Sequence, residues 1–239
     1  MDYFKRFERT GLLLGSEGLK KLKNSKVAVF GLGGVGSYTA EALARSGVGN
    51  LFLIDKDTVD ITNCNRQLCA LDSTIGELKT QVMKKRLIDI NPEIQIEIFN
   101  IFFLPETESE IKDKIFSDCD YIADAVDTVS AKLEIAKEAK KRHISLISAM
   151  GCGNKFDGTA FKIADISQTS VCPLAKVMRR ELKKNGITDY KVVYSTEPPF
   201  KPLSGNMENT KKSPGSLPWV TGTAGLIMAG KIVTDITGS

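Results

Sequence analysis

The stretch "KVAVFGLGGVGSYTAEALARSG" (26–47) sets glycines at a fixed spacing between a β-branched apolar run and a run of helical periodicity. No other feature limits the possible folds so strongly. In a GxGxxG placed between strand and helix, Gly31 allows the tight turn, Gly33 leaves room for phosphates, and Gly36 lets the helix pack on the strand. Gly34 lies in the same loop and joins them as a candidate phosphate-lining position. Free amides at the start of the following helix favour an anion. A glycine-rich turn that binds nothing is the plain alternative, and the motif alone does not say which nucleotide would bind. The P-loop pattern GxxxxGK[ST] is absent, which excludes a P-loop ATPase.

Downstream, strand and helix alternate. "NLFLI" (50–54), "EIQIEIF" (93–99), "CDYIADAV" (119–126) and "HISLISAM" (143–150) read as strands. "ELKTQVMKKRLIDIN" (77–91), "ETESEIKDKIF" (106–116) and "SAKLEIAKEAKKR" (130–142) read as helices, the first ending before Pro92. From Gly151 the rhythm loosens. Strands at 159–166 and 189–196 flank a helix over 172–185, and 197–218 collects proline, glycine and polar residues as a loop. "PWVTGTAGLIMAGKIVTDI" returns as a buried helix despite its glycines. The expected fold is α/β: a Rossmann-like three-layer arrangement around a mostly parallel sheet, extended by C-terminal strands and a helix. One domain over 1–239 is expected, with a nucleotide-binding core at 26–150 and a substrate and dimer extension at 151–239.

Composition narrows the setting. With 42% hydrophobic and 26% charged residues, the chain reads as an ordinary soluble globular protein. Its five cysteines form no CxxC pair, which favours a reducing, cytoplasmic compartment over a disulfide framework or a four-cysteine zinc site. The N-terminus lacks the apolar stretch of a signal peptide, and Lys231 interrupts the one other membrane candidate, so no stable membrane insertion is expected. A net charge of +4 permits an anionic partner without requiring one.

The chemistry concentrates in "LIDKDTVDITNCNRQ" (53–67). Asp55 ends the second strand, where a carboxylate takes the ribose hydroxyls of an adenosine. Asp57 follows as a second acid in the same loop. A dinucleotide enzyme could stop at one acid, yet here Asn63, Arg66 and Gln67 follow, and Lys79 opens the next helix. Arg66 offers a planar fork matched to phosphate oxygens, and Asn63 and Gln67 can orient polar groups around it. Two cations and two amides suit attack on a triphosphate, where charge develops on phosphoryl oxygens and departing pyrophosphate. The alternative for each cation is a surface ion pair. In "DYIADAVDT", Asp127 lies beyond the apolar run as the candidate Mg²⁺ ligand, since a carboxylate plus a triphosphate is the usual way to hold that ion. Its alternative is an N-cap for the helix near Ser130. Asp124 is read as a brace at the strand end.

Together "GLGGVGS", "LIDKDTVDITNCNRQ", "GELKTQVMKKRLIDINP" and "ADAVDTVSAK" resemble the ubiquitin-activating-like adenylating superfamily, the ThiF and HesA group. "RFERTGLLLGSEGL" and "YSTEPP" suit its branch that dehydrates threonylcarbamoyladenosine in tRNA. The resemblance is specific over residues 6–150 and looser beyond. It implies that Gly31, Gly33 and Gly36 line the ATP phosphates and Asp55 holds the ribose. Asn63, Arg66 and Lys79 would contact the triphosphate, and Asp127 would bind Mg²⁺ as the essential acid. It implies a homodimer in which Arg9 reaches the neighbouring subunit's site, the N-terminal arm gaining little from packing alone. Its substrate would be tRNA bearing threonylcarbamoyladenosine, cyclised through an acyl-adenylate with loss of AMP and pyrophosphate. A monovalent cation and a sulfur-relay accessory protein are further associations it admits.

Two departures matter. The two CxxC pairs that hold zinc in sulfur-carrier adenylating relatives are missing. Where some dehydratases carry a cysteine three residues before the serine of "STE", this chain has Val192, so its chemistry must work without that thiol. Cys172, at a helix start, is a weak substitute. For RNA, "KVMRRELKK" offers Lys176, Arg179, Arg180, Lys183 and Lys184, with Lys211 and Lys212 in the loop; a solvated helix face is the alternative. Phe200 and Trp219 flank the loop as aromatics that could stack on bases, although Trp219 is as easily core. Two other functions compete. One is an adenylating enzyme for a ubiquitin-like sulfur carrier, which would need a face for a Gly-Gly tail. The other is a non-catalytic nucleotide-sensing domain, against which Arg66, Lys79 and Asp127 speak.

Overall fold

A computed structural model describes residues 3–201 and 214–239. Two helices, α1 (Tyr3–Arg6) and α2 (Glu8–Asn24), precede the first strand. The alternating core runs β1 (Lys26–Phe30), α3 (Gly36–Ser46), β2 (Asn50–Ile54), α4 (Lys79–Ile90), β3 (Gln95–Phe99), α5 (Ser109–Phe116), β4 (Tyr121–Asp124), α6 (Val129–Arg142) and β5 (Ser145–Ala149). It is followed by β6 (Phe161–Asp165), α7 (Pro173–Lys184), β7 (Lys191–Ser195) and α8 (Pro218–Thr237). The seven strands lie in the order β3-β2-β1-β4-β5-β7-β6, and every pairing is parallel except β6 with β7.

Burial on both faces explains why β1 and β2 read as unbroken apolar runs. Val27, Val29, Leu51 and Leu53 face Leu43, Met83 and Met228 of α3, α4 and α8. Their neighbours Ala28, Phe30, Phe52 and Ile54 face Ile115, Phe116 and Ile135 of α5 and α6. The result is three layers, as the pattern implies. The glycines of α8 are what let it lie close on α3: a Cβ at Gly225 would press on the carbonyl of Val35, and one at Gly222 on the Tyr38 ring. Among the described residues, no helix is long and apolar enough to cross a membrane.

Local interactions trim two expected helices. Residues 77–78 are drawn into an antiparallel bridge, with Val59 N–H donating to Glu77 and Lys79 N–H to Asp57, so α4 starts at Lys79. Leu104 and Thr107 exchange hydrogen bonds in a turn, and α5 starts at Ser109. The N-terminal segment corrects the expectation that it gains little from packing. Tyr3 and Phe7 are buried with Leu19, and the Tyr3 hydroxyl donates to the Gly47 carbonyl at 2.5 Å.

Candidate active site

At the carboxyl ends of the central strands lies a cleft of about 640 Å³. The glycine loop forms its floor. Gly31 takes φ +83°, donates its N–H to the Ile54 carbonyl, and sits so near Ala125 that a Cβ would meet that backbone at 3.0 Å. A Cβ on Gly36 would overlap the Gly31 carbonyl, so this glycine serves the strand–helix contact. Gly33 differs: an added Cβ would find only Gln67 Nε2, at 3.9 Å, and otherwise open cleft. Gly34 lines the cleft and also gives way to packing, since its Cβ would lie 2.9 Å from Thr221 Oγ1. The amides of Gly33, Gly34, Val35 and Gly36 donate to no described group, leaving a set of free donors at the start of α3.

Around this floor the loop after β2 is held by its own acids. Asp55 accepts from Leu32 N–H (2.7 Å) with one oxygen and from Asp57 N–H (2.8 Å) with the other, which fixes the carboxylate at the strand end. Asp57 then pairs with Lys79, Nζ to Oδ2 3.1 Å. Lys79 is buried while Asp57 is half exposed, so the ammonium is the member of the pair confined to the cleft wall. The Lys79 ion pair exists, but with a residue of the same cleft and not as a surface contact.

Asp60 builds a capping box at the 3₁₀ turn Ile61–Asn63, where Asn63 Oδ1 accepts from Asp60 N–H. That turn carries Arg66 into the cleft. Its guanidinium donates to the Thr62 carbonyl and Asn65 Oδ1, both at 2.9 Å, and pairs with no described carboxylate. Its charge is oriented yet uncompensated. Gln67 is buried beside the glycine loop.

Two acids close β4 and part ways. Asp124 is wholly buried and holds Lys132 Nζ (3.0 Å), Ser148 Oγ (2.6 Å), Tyr190 OH (3.3 Å) and Val126 N–H (3.2 Å). Burial, then the Asp124 charge, push the Tyr190 hydroxyl well above its usual range. Asp127 is exposed in the cleft, and among the described residues its one contact is from Thr128 Oγ1 at 3.4 Å. The N-cap of α6 is Thr128, so Asp127 does not cap the helix. With Asp55 held by amides and Asp57 by Lys79, Asp127 is the uncommitted carboxylate among the described residues of the cleft. A single carboxylate beside bound phosphates suits Mg²⁺, and no described cluster of three or more acids, histidines or cysteines exists that could hold a metal alone.

Arg9 does not join these residues. It is exposed on α2, two positions after Phe7, whose ring packs on Gly47 at the amino end of β2, away from its own cleft. Cys172 is buried at the start of α7 and outside the cleft, and Val192 is fully buried in β7. The basic face of α7 is smaller than its sequence implies. Arg179 donates to the carbonyls of Ile166 and Thr169, and Arg180 and Lys184 pair with Glu181, which leaves Lys176 and Lys183 without a described partner. Lys211 and Lys212 lie outside the described residues. Trp219 is not core but more than half exposed. Sequence reasoning missed Lys56 over the Phe102 ring (4.4 Å), and it missed Cys152 and Thr221, all on the cleft wall. Only Lys56 carried a signal, as the neighbour of Asp55.

The model of the ThiF family matches residues 7–239. The tRNA threonylcarbamoyladenosine dehydratase of Bacillus subtilis strain 168 is 48% identical, over 97% of this chain and 94% of the relative. The protein of that name from Escherichia coli K12 is 33% identical over 93% and 90% of the two chains. The crystal structure of the E. coli enzyme, TcdA, in complex with ATP superposes with a TM-score of 0.88 at 31% identity, covering 98% of this chain and 95% of that one.

Proposed function

The chain belongs to the ThiF family, and from that membership and its cleft we infer that it is an ATP-dependent tRNA threonylcarbamoyladenosine dehydratase. The observation that carries this reading is the gathering of Arg66, Lys79 and Asp127 around the free amides of the glycine loop in one cleft.

Hydroxide is too poor a leaving group for direct loss of water from a carboxylate. The carboxylate of the threonylcarbamoyl group attacks the α-phosphorus of ATP, and the bond to pyrophosphate breaks. A nucleophilic atom of the same modification then attacks the activated carbonyl, closes the ring and expels AMP, with one proton released. Because the second step is intramolecular, ordered approach contributes up to about 7–11 kcal/mol. A protein thiol is therefore dispensable, in keeping with buried Val192 and Cys172.

Each residue has a distinct task. The amides of Gly33, Gly34, Val35 and Gly36 receive phosphate oxygens at the positive end of α3. Asp55 holds the ribose hydroxyls with the lone pairs its amide partners leave free. Lys79 exchanges Asp57 for the triphosphate, Asp57 serving as its counter-ion until then. Arg66 supplies positive charge to the departing pyrophosphate, with Asn63 and Gln67 fixing the loop beneath it. Asp127 would hold Mg²⁺, which supplies charge neutralisation as the phosphoryl bond breaks. Residues 26–150 thus serve the nucleotide and 151–239 the substrate and subunit contacts. The working form is a cytoplasmic homodimer in which Arg9 completes the partner's cleft.

The decisive test incubates the protein with ATP, Mg²⁺ and tRNA carrying threonylcarbamoyladenosine. Mass spectrometry of the digested RNA should show that nucleoside lighter by one water, with AMP formed in equal amount. AMP formed only with a ubiquitin-like protein tail, or no AMP at all, would overturn the reading.

A further inference from the structure

Beyond the cleft, three large aromatic side chains stand in the open on one patch. Phe156 is 57% exposed, Phe200 55% and Trp219 55%. The rings of Phe156 and Phe200 meet edge to face with centroids 4.8 Å apart, and the Trp219 indole N–H donates to the Phe156 carbonyl at 2.8 Å. Such residues are usually withdrawn from water, and a contiguous exposed set marks an interaction site.

The chain invests heavily in holding them there. Glu197 accepts from the Phe156 and Asp157 amides, and its own carbonyl accepts from buried Lys155. The Phe200 N–H donates to the Asn154 carbonyl at 2.7 Å, and Asn154 exchanges hydrogen bonds with Gly215 at 2.7 and 2.8 Å. The 154–158 turn is thereby pinned between the segment after β7 and the first turn of α8. The patch also continues the cleft. Gly153, Ser216 and Thr221 line the cavity, and each lies two or three positions from Phe156 or Trp219 in the chain. Close by in sequence to cleft-lining Leu174, Lys176 is exposed and has no described partner, a cation for a nearby phosphate.

We propose that Phe156, Phe200 and Trp219 form a stacking ledge for an unpaired nucleobase of the RNA, next to the nucleoside that enters the cleft. This rests on the dehydratase reading. A nucleoside that enters the cleft must leave its stack, and its neighbour in a single-stranded loop is then unstacked too. An aromatic face accepts any base, so the ledge positions the loop without reading its sequence.

Trp219 is the single tryptophan of the chain, so its emission reports on the ledge alone. With ATP saturating, the full chain is titrated with tRNA lacking the modification while binding is followed by anisotropy. Quenching that saturates together with binding is expected. F156A and W219A should each raise the KM for tRNA about 5- to 100-fold with kcat and ATP affinity retained, and W219F should restore most of it. RNA that binds without changing the emission overturns the ledge, as does an unchanged KM in both variants. An emission change that follows protein concentration without RNA, and that RNA does not extend, would make the patch a subunit contact and also overturn it. Water loss from the substrate by the wild-type protein is scored separately. Water lost without quenching removes only the ledge, whereas no RNA binding and no water loss remove both readings.

Discussion

Gly33 and Gly36 belong to one motif, yet substitution at each should fail for a different reason. A methyl group on Gly36 collides with the Gly31 carbonyl, a backbone atom that cannot move without displacing the turn. One on Gly33 meets only Gln67 Nε2 at 3.9 Å, and Gly33 is not among the glycines with positive φ. G33A should therefore fold as well as the parent, with a gain of about 0.4–1 kcal/mol from the stiffer unfolded chain. What it fills is the space beside the free amides of the α3 start. Losing even one charge-assisted amide–phosphate bond removes about 1.5–3 kcal/mol, which is roughly a 10- to 150-fold weaker ATP Kd. Calorimetric titration gives the affinity and denaturant unfolding the stability. G36A, the control, should lose stability first. A G33A protein that binds ATP like wild type would refute the placement of phosphates on this loop, whatever the fate of G36A.

Other outcomes follow from the same cleft. D127N should lose about 10²-fold or more of AMP formation with its unfolding midpoint unchanged, and R66A should be similarly impaired; a fully active D127N would reduce Asp127 to a surface acid. K132M leaves Asp124 buried without its cation and should cost about 3–5 kcal/mol in urea unfolding, with D124N/K132M recovering part of it. Burial raises the thiols of Cys69 to about 11 and of Cys119 and Cys152 to about 12, so at pH 8 alkylation of the folded protein should label exposed Cys64 first, with all five reacting after denaturation. R9A and D127N, each poorly active alone, should regain about a quarter of wild-type activity when subunits exchange, since half the dimers are mixed and each has one intact site; no recovery despite proven exchange would refute action in trans.

Much of this was legible in the sequence because its signals are local. GxGxxG announces the turn between β1 and α3 that lines the cleft, and unbroken apolar runs such as "NLFLI" announce a sheet covered on both faces. Positions set by distant partners were not legible. Lys79 begins α4 because residues 57–59 seize 77–78, a bridge no periodicity reveals. The tight α3–α8 contact depends on glycines that a propensity argument counts against the helix. Arg179 looks like a phosphate ligand until Thr169 and Ile166 are seen to occupy it. Nothing in "NKFDG" distinguishes Phe156 from a core residue, because its exposure is imposed by Glu197 and Trp219 from elsewhere in the chain.

Asp124 and Asp127 show how one residue type acquires two roles within three positions. At Asp124 the strand is still inside the sheet, and a carboxylate there is tolerable only with Lys132, Ser148 and Tyr190 around it. With its acceptor capacity so engaged, it has little left to offer a ligand, and one oxygen holds the Val126 amide in the turn that follows. Asp127 lies just past that turn, in solvent, with no cation or amide bound to it among the described residues. The buried network therefore anchors the backbone from which the free carboxylate projects. The same separation means that Asp127 can be replaced, as in D127N, without loss of the buried network: the acid that stability depends on is a different one. A chain with only the outer acid would have a looser turn, and one with only the inner acid would have no uncommitted carboxylate among the described residues of its cleft.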